Sequence, residues 1–168
     1  IRSLQWDVGL FQLQYNNRLG VLSEKDADGN FYLLHTNIGN SLTQGLELFA
    51  EYALPISNQV SFSIFTSTAF MNARYTAAAV RSGESNIDIR GNRVESAPSV
   101  ITRNGLNIKF HKSSFSILYS YTGKSYADAL NAKTPSANGA VGLVPGYGLL
   151  DINTSFKLSE RFTVRFNI

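Results

Sequence analysis

The chain has 168 residues, 43% of them hydrophobic, which is enough for one domain with a core. It holds no cysteine, so disulfide frameworks, zinc knuckles and thiol nucleophiles drop out. Its 15 Lys and Arg against 12 Asp and Glu give a formal charge of +3, scattered singly, which argues against nucleic acid as a partner.

Period-two alternation predicts seven strands in chain order. The first, Leu4 to Leu19, presents Leu4, Trp6, Val8 and Leu10 before Phe11, Leu13 and Tyr15 take over the apolar positions, a phase change that predicts a β-bulge near Leu10. The second, Phe31 to Leu54, and the third, Val60 to Thr76, carry apolar residues at even positions, with Val60, Phe62 and Ile64 against Ser61 and Ser63. The fourth, Ser99 to Phe110, sets Leu106, Ile108 and Phe110 against Arg103, Asn107 and Lys109. The fifth, Phe115 to Tyr126, sets Phe115, Ile117, Tyr119 and Tyr121 against Ser116, Ser120 and Thr122. The sixth, Tyr147 to Leu158, and the seventh, Phe162 to Ile168, repeat the pattern, with Asp151, Asn153, Lys157 and Arg165 on the polar side.

No run reaches the ~18 apolar residues of a membrane-spanning helix. Strands in soluble domains average about five or six residues, so the two longest runs, Phe31 to Leu54 and Val60 to Thr76, argue for something larger than a sandwich. The connections PISNQ, HKSS and SER are short, whereas those around Val21 to Asn30, Ala77 to Pro98 and Ser125 to Gly146 are long. In a meander the short ones all fall at one end, the habit of outer-membrane barrels. The expected fold is therefore all-β, an antiparallel up-and-down meander with its aromatic faces toward lipid. A soluble all-β binding module with those faces as its core, and a passive porin or adhesin barrel, are the alternatives.

Because opposed residues share a face, the faces also predict register. The expected pairs are Leu54 with Val60, Tyr52 with Phe62 and Glu51 with Ser63; then Phe110 with Phe115, Leu106 with Tyr119 and Arg103 with Thr122; then Leu158 with Phe162 and Phe156 with Val164 around a Ser159, Glu160, Arg161 turn.

Three stretches carry a resemblance. TNIGNSLTQGLELFAEYALP (Thr36 to Pro55) resembles the Asn-x-Gly, then Gly-x-Glu-Leu, strand of TonB-dependent outer-membrane receptors. GNRVESAPSVITRNGLNIKF (Gly91 to Phe110) resembles the segment where a loop ends at proline and enters the next strand, and YTGKSYADAL with VPGYGLLDINTSFKLSERFTVRFNI is similar to the late strands. The resemblance implies part of a 22-stranded transmembrane β-barrel, in the bacterial outer membrane, importing a scarce nutrient with energy coupled through TonB. Residues 1–168 would then be a partial barrel, the fifteenth to the twenty-first strand, with plug domain and final strand outside it. The loop ADALNAKTPSANGAVGLVPGYG looks most like the ferric-citrate and ferric-siderophore branch, so the implied partners are lipid, an iron chelate, the plug and TonB, with no cofactor.

The candidate site residues follow from charge and position. Arg74, Arg81, Arg90, Arg93 and Arg103 lie in or beside the second long connection, and guanidinium groups grip carboxylate oxygens in bidentate fashion. Arg74, Tyr75, Arg81, Arg90 and Arg93 are thus candidates for an anionic chelate, although Glu84, Asp88 and Glu95 share the loop and a solvated loop is the competing reading. Glu47, Glu51, Arg103, Lys109, Asp151, Asn153 and Arg165 are expected to face the lumen. Glu47 and Glu51 lack a catalytic partner, His35 and His111 have no Cys, Asp or Glu at ligand spacing, and GKS at Gly123 to Ser125 lacks the glycine and helix of a phosphate loop. Tyr15, Tyr32, Tyr52, Tyr75, Tyr119, Tyr126 and Tyr147 cluster toward strand ends, as interfacial girdle tyrosines do.

Overall fold

A computed structural model describes residues 3–26, 28 and 30–168, and no helix occurs among them. The strands are β1 (Ser3–Lys25), β2 (Phe31–Ser57), β3 (Val60–Ser82), β4 (Ser85–Asp88), β5 (Val100–Phe110), β6 (Ser113–Thr122), β7 (Ser125–Tyr126), β8 (Leu143–Val144), β9 (Tyr147–Ser159) and β10 (Phe162–Asn167). Seven of them form one antiparallel meander in the order β1-β2-β3-β5-β6-β9-β10, with β4 folded back onto the end of β3 and β7 paired with β8. No pairing joins β1 to β10 among the described residues, so the sheet is open at both edges.

The strands run further than alternation alone predicts. Only residues 58–59, 111–112 and 160–161 remain as turns at one end of the sheet. Each extra pair satisfies backbone donors and acceptors that a longer turn would leave to water, and His111, with φ 53°, adopts the left-handed conformation that two-residue hairpin turns use. Register therefore moves by two. Tyr52 meets Ile64, Leu54 meets Phe62 and Glu51 meets Phe65 instead of Ser63; Phe110 meets Ser113, Leu106 meets Ile117 and Arg103 meets Ser120 instead of Thr122. A shift of two preserves every face. In the last hairpin Phe156 does pair with Val164, but Ser159 pairs with Phe162, and an irregularity at Leu158 restores Lys157 to Thr163. At the other end β1 and β2 continue to Lys25 and from Phe31, leaving a short connection where a long one is expected, and β3 with β4 orders part of the second loop as a hairpin.

Both faces are continuous from β1 to β10. On one lie Leu4, Trp6, Val8, Leu10, Leu46, Leu48, Phe62, Ile64, Phe70, Leu106, Ile108, Ile117, Leu150, Phe156 and Phe166. Among the described residues no second sheet faces them: Leu10 is 84% exposed, Trp6 70% and Phe166 62%. On β3 and β5 the apolar side runs from Val60 to Phe70 against Phe110 to Val100, matching the ~9–11 residues with which a tilted strand crosses a bilayer. Its polar members satisfy one another, since the Thr68 and Thr102 hydroxyls lie 2.6 Å apart and Asn104 Nδ2 donates to Thr102 Oγ1 at 3.2 Å.

The opposite, polar face holds Gln5, Asp7, Glu47, Glu51, Ser63, Ser67, Arg103, Asn107, Ser116, Asp151, Asn153 and Arg165. It also holds aromatics. Phe11 lies across Gly45 and Phe65 across Gly105, where any added Cβ would strike the ring. The phase change in β1 thus needs no bulge at Leu10: pairing is unbroken from Ser3 to Tyr15, and Phe11, Leu13 and Tyr15 belong to the polar face because glycine and small residues opposite leave room for them. Replacing Phe65 by alanine in the full-length protein is expected to cost about 2 kcal/mol, the lower part of the large-to-small range, because the ring is only half-buried. Hydrogen exchange at Gly105, faster in the variant, reports the uncovered backbone.

The buried core lies elsewhere, at the loop end of the sheet. Ala73, Tyr75, Ala78, Ile89 and Val94 pack together, with Val80, Ala97 and Ala129 against them. Residues 89–94 continue the sheet, since Ile89 N donates to Ala78 O, Gly91 N to Tyr75 O, Tyr75 N to Asn92 O and Val94 N to Ala73 O. The loop after β3 is thus held down by backbone pairing and by apolar burial together.

Candidate functional site

Three irregularities meet at one level of the wall. In β1 Asn16 and Asn17 stand against Asn40 alone, so one residue is extra there, and Ile38 is extra in β2 and Thr76 in β3. Asn17 has φ 57°, a conformation asparagine tolerates better than most residues, and its N–H is held by Asn40 Oδ1 at 3.0 Å. The bulge has a chemical consequence. It turns Arg18 onto the face of Tyr15, Ser41 and Tyr75, where simple alternation would have sent it to the apolar side.

Arg18 is the centre of the cluster so formed. Its guanidinium carbon lies 5.9 Å from the Tyr15 ring centroid and 5.5 Å from that of Tyr75. Nη1 donates to Ser41 Oγ at 3.3 Å, and Nη2 reaches Glu95 Oε1 at 3.3 Å. The Tyr75 hydroxyl donates to Glu95 Oε2 at 2.6 Å. Tyr75 and Ser41 are the most buried members, at 2% and 0% exposure. Burial first, then the hydrogen bond to Glu95 and its charge, push the Tyr75 pKa up, with Arg18 opposing, so the hydroxyl remains a donor throughout the neutral range. Glu95 belongs to the loop between β3 and β5; the cluster latches that loop to β1 and β2.

The same loop is clasped to the next one. Asn131, at φ 57°, donates from Nδ2 to Arg93 O at 2.9 Å and accepts from Arg93 N at 2.7 Å, so its amide imitates a strand partner. Asn92 Nδ2 donates to Ala129 O at 3.0 Å and Ser96 N to Tyr126 O at 2.8 Å. Asp128 folds the loop between β6 and β9 upon itself by accepting from Gly142 N at 2.9 Å. Alanine at Asn131 is expected to cost about 2 kcal/mol, since it removes a reciprocal pair of hydrogen bonds and leaves a half-buried N–H unmade. Limited proteolysis should then cut both loops faster, because they are bound to each other.

The sequence candidates divide between the two faces. Glu47, Glu51, Arg103, Lys109, Asp151, Asn153 and Arg165 all stand on the polar face. Glu47 and Arg103 border one depression of about 330 Å³ with Asp7, Phe49 and Ser67, and Glu51 and Lys109 border another of about 340 Å³ with Ser61, Ser63 and Asn107. Among the arginines, Arg81 and Arg90 are exposed; Arg81 Nε donates to Gly83 O at 2.8 Å beside the hairpin tip, and Arg90 follows buried Ile89. Arg74 and Arg93 oppose each other across an isolated bridge on the apolar side of the wall, while Tyr75 turns to the other side. Tyr15 and Tyr75 belong to the Arg18 cluster and Tyr147 to the polar face, so those three are not girdle residues; Tyr52 and Tyr119 do stand on the apolar face. Arg18, Ser41 and Glu95 carry no motif. The asparagine pair before Arg18 is compatible with a break in alternation, but only the pairing with β2 places it.

An open meander with one uncovered apolar face, one polar face, two-residue turns at one end and two long loops at the other has the build of an outer-membrane barrel wall. The family comparison agrees over nearly every residue: the model for the TonB dependent receptor-like β-barrel matches residues 2–168, and the chain belongs to that family. Among solved structures it is similar to the ferric citrate transporter FecA in the unliganded form, with a TM-score of 0.70 and 24% identity over 95% of this chain. The match spans 22% of that transporter's length. None of the curated proteins compared matches the chain.

Proposed function

We propose that the protein is an outer-membrane receptor that takes up a ferric chelate, a siderophore or ferric citrate, with energy delivered through TonB. The observation that carries this reading is the two-faced, uncovered sheet in a chain of the TonB-dependent receptor family. In this reading the seven long strands are the fifteenth to the twenty-first of the closed barrel, the apolar face meets lipid, and the polar face lines a lumen occupied by a plug domain. Glu47, Glu51, Arg103, Lys109, Asp151, Asn153 and Arg165 then face that plug and the water around it. Arg81 and Arg90, exposed on the loop after β3, are the cations offered to an anionic chelate, and the latch and clasp hold that loop in place beneath them. No bond is made or broken on the cargo.

The test is uptake of radiolabelled ferric citrate and of ferric siderophores by a receptor-deleted bacterial host carrying the full-length protein. Uptake that requires both the protein and TonB is expected; accumulation unchanged by deleting either would sink the assignment. Replacing Arg81 and Arg90 together by alanine is expected to weaken chelate binding about tenfold, the loss of one charge-assisted contact. Unaltered affinity would remove these two residues from the site and leave the transport assignment standing.

A further inference from the structure

Arg74 and Arg93 are placed in a way that pairing within the chain does not explain. The bonds Tyr75 N to Asn92 O and Val94 N to Ala73 O flank them, which makes them a non-hydrogen-bonded antiparallel pair, the arrangement with the closest side chains. Like charges directly opposite are destabilising. No carboxylate relieves them: the ion pairs among the described residues are Arg18 with Glu95 and Lys157 with Glu160. Arg74 spends Nε on Asn72 Oδ1 and Nη1 on Gly91 O, and the buried Nε of Arg93 has no partner. The pair also has a definite height. Alternation along β3 is unbroken from Phe62 through Phe70 to Arg74, so both guanidinium groups are on the lipid side. The apolar run on that side ends at the row of Leu10, Leu46 and Phe70; the next row is Gln12, Gln44 and Asn72, with Gln44 Nε2 donating to Gln12 Oε1 at 2.7 Å, and Arg74 follows.

We propose that Arg74 and Arg93 form an outward-facing site for a lipid-borne phosphate at the upper edge of the apolar belt. The inference rests on the membrane-wall reading above. A phosphate set between the two forks would cancel their repulsion and accept from the free guanidinium N–H groups, while its acyl chains lie along the apolar face beneath. The chemical class is an anionic phospholipid or phosphoglycolipid whose phosphate sits just outside the hydrocarbon layer. Tyr75, on the other face, takes no part.

The test uses the full-length receptor in neutral detergent, titrated with acylated diphosphoglucosamine disaccharide, with the same lipid after dephosphorylation, and with inorganic phosphate. The phosphorylated lipid is expected to bind at least about tenfold more tightly to the wild type than to the Arg74→Gln/Arg93→Gln variant, the loss of one or more charge-assisted bonds. The dephosphorylated lipid should bind both proteins equally weakly, and millimolar phosphate should not displace the lipid. Arg93→Lys, which keeps the stem and charge, guards against a folding defect and should bind between the two. Equal binding of the phosphorylated lipid by wild type and double variant overturns the site; full displacement by phosphate overturns the lipid as its source. A nitroxide at Leu10→Cys separates this from the underlying reading. A lipid-buried nitroxide with no phosphate dependence overturns this site alone, whereas a water-exposed one overturns both.

Discussion

Replacing Glu95 by alanine in the full-length protein is expected to loosen the loop between β3 and β5 and to lower stability by about 2 kcal/mol. The carboxylate has two partners: it accepts from the buried Tyr75 hydroxyl at 2.6 Å and from Arg18 at 3.3 Å. Removal leaves a buried hydroxyl without its acceptor, and that desolvation loss dominates. The ion pair contributes less, because the Arg18 and Glu95 side chains are 28% and 33% exposed and solvent screens them. Glu95→Gln separates the parts. It keeps an acceptor for Tyr75 and gives up only the charge, so about half the loss is expected. Protease cleavage within residues 83–98 and the unfolding midpoint of the barrel read the effect together. An alanine variant as resistant to cleavage as the wild type would show that backbone pairing at Ile89, Gly91 and Val94 is sufficient to hold the loop.

Alanine at Gly39 should be more damaging, about 3 kcal/mol or more, since conformational strain and steric overlap act on the same residue. Gly39 has φ 142°, a region that side chains with a Cβ rarely enter, and a Cβ there would run into the Ala77 carbonyl oxygen and Ala78 Cα. Those obstacles are backbone. At Gly105 the obstacle is the Phe65 ring, which can rotate away, so Gly105→Ala is expected to be milder. Gly39 also sits among the bulges at Asn16–Asn17, Ile38 and Thr76, so a displaced β2 would carry Ser41 away from Arg18. Loss of folded barrel in the membrane fraction measures it; wild-type yield and midpoint for Gly39→Ala would show that the strands can re-pair around the added methyl.

The glycines of the Asn-x-Gly and Gly-x-Glu-Leu stretch now have physical roles. Gly39 allows the bulged strand to approach β3, and Gly45 lies beneath Phe11. Neither role is visible one strand at a time, because the partner that requires the glycine, Ala77 for Gly39 and Phe11 for Gly45, lies on a different strand. The arginines teach a similar lesson. Side by side in sequence with Tyr75, Arg74 reads as part of one binding group, yet a single step along an extended chain reverses the face, and the two residues serve opposite sides of the wall.

By itself the sequence determined the fold class, the order of the seven long strands and the face of almost every residue in them, because alternation is a local property with a period of two and tolerates errors of two. It did not determine the length of the turns. Phe110 against Phe115 and Phe110 against Ser113 give identical faces, and only the closing of backbone hydrogen bonds up to a two-residue turn selects the second. Nor did it determine where alternation is broken. The extra residue at Asn16–Asn17 becomes evident only when β1 is laid beside β2, and it is that one residue which brings Arg18 over Tyr75 and Glu95. The faces follow from the chain's own periodicity; the cluster follows from contacts between segments 23 and 77 residues apart, which no local pattern encodes.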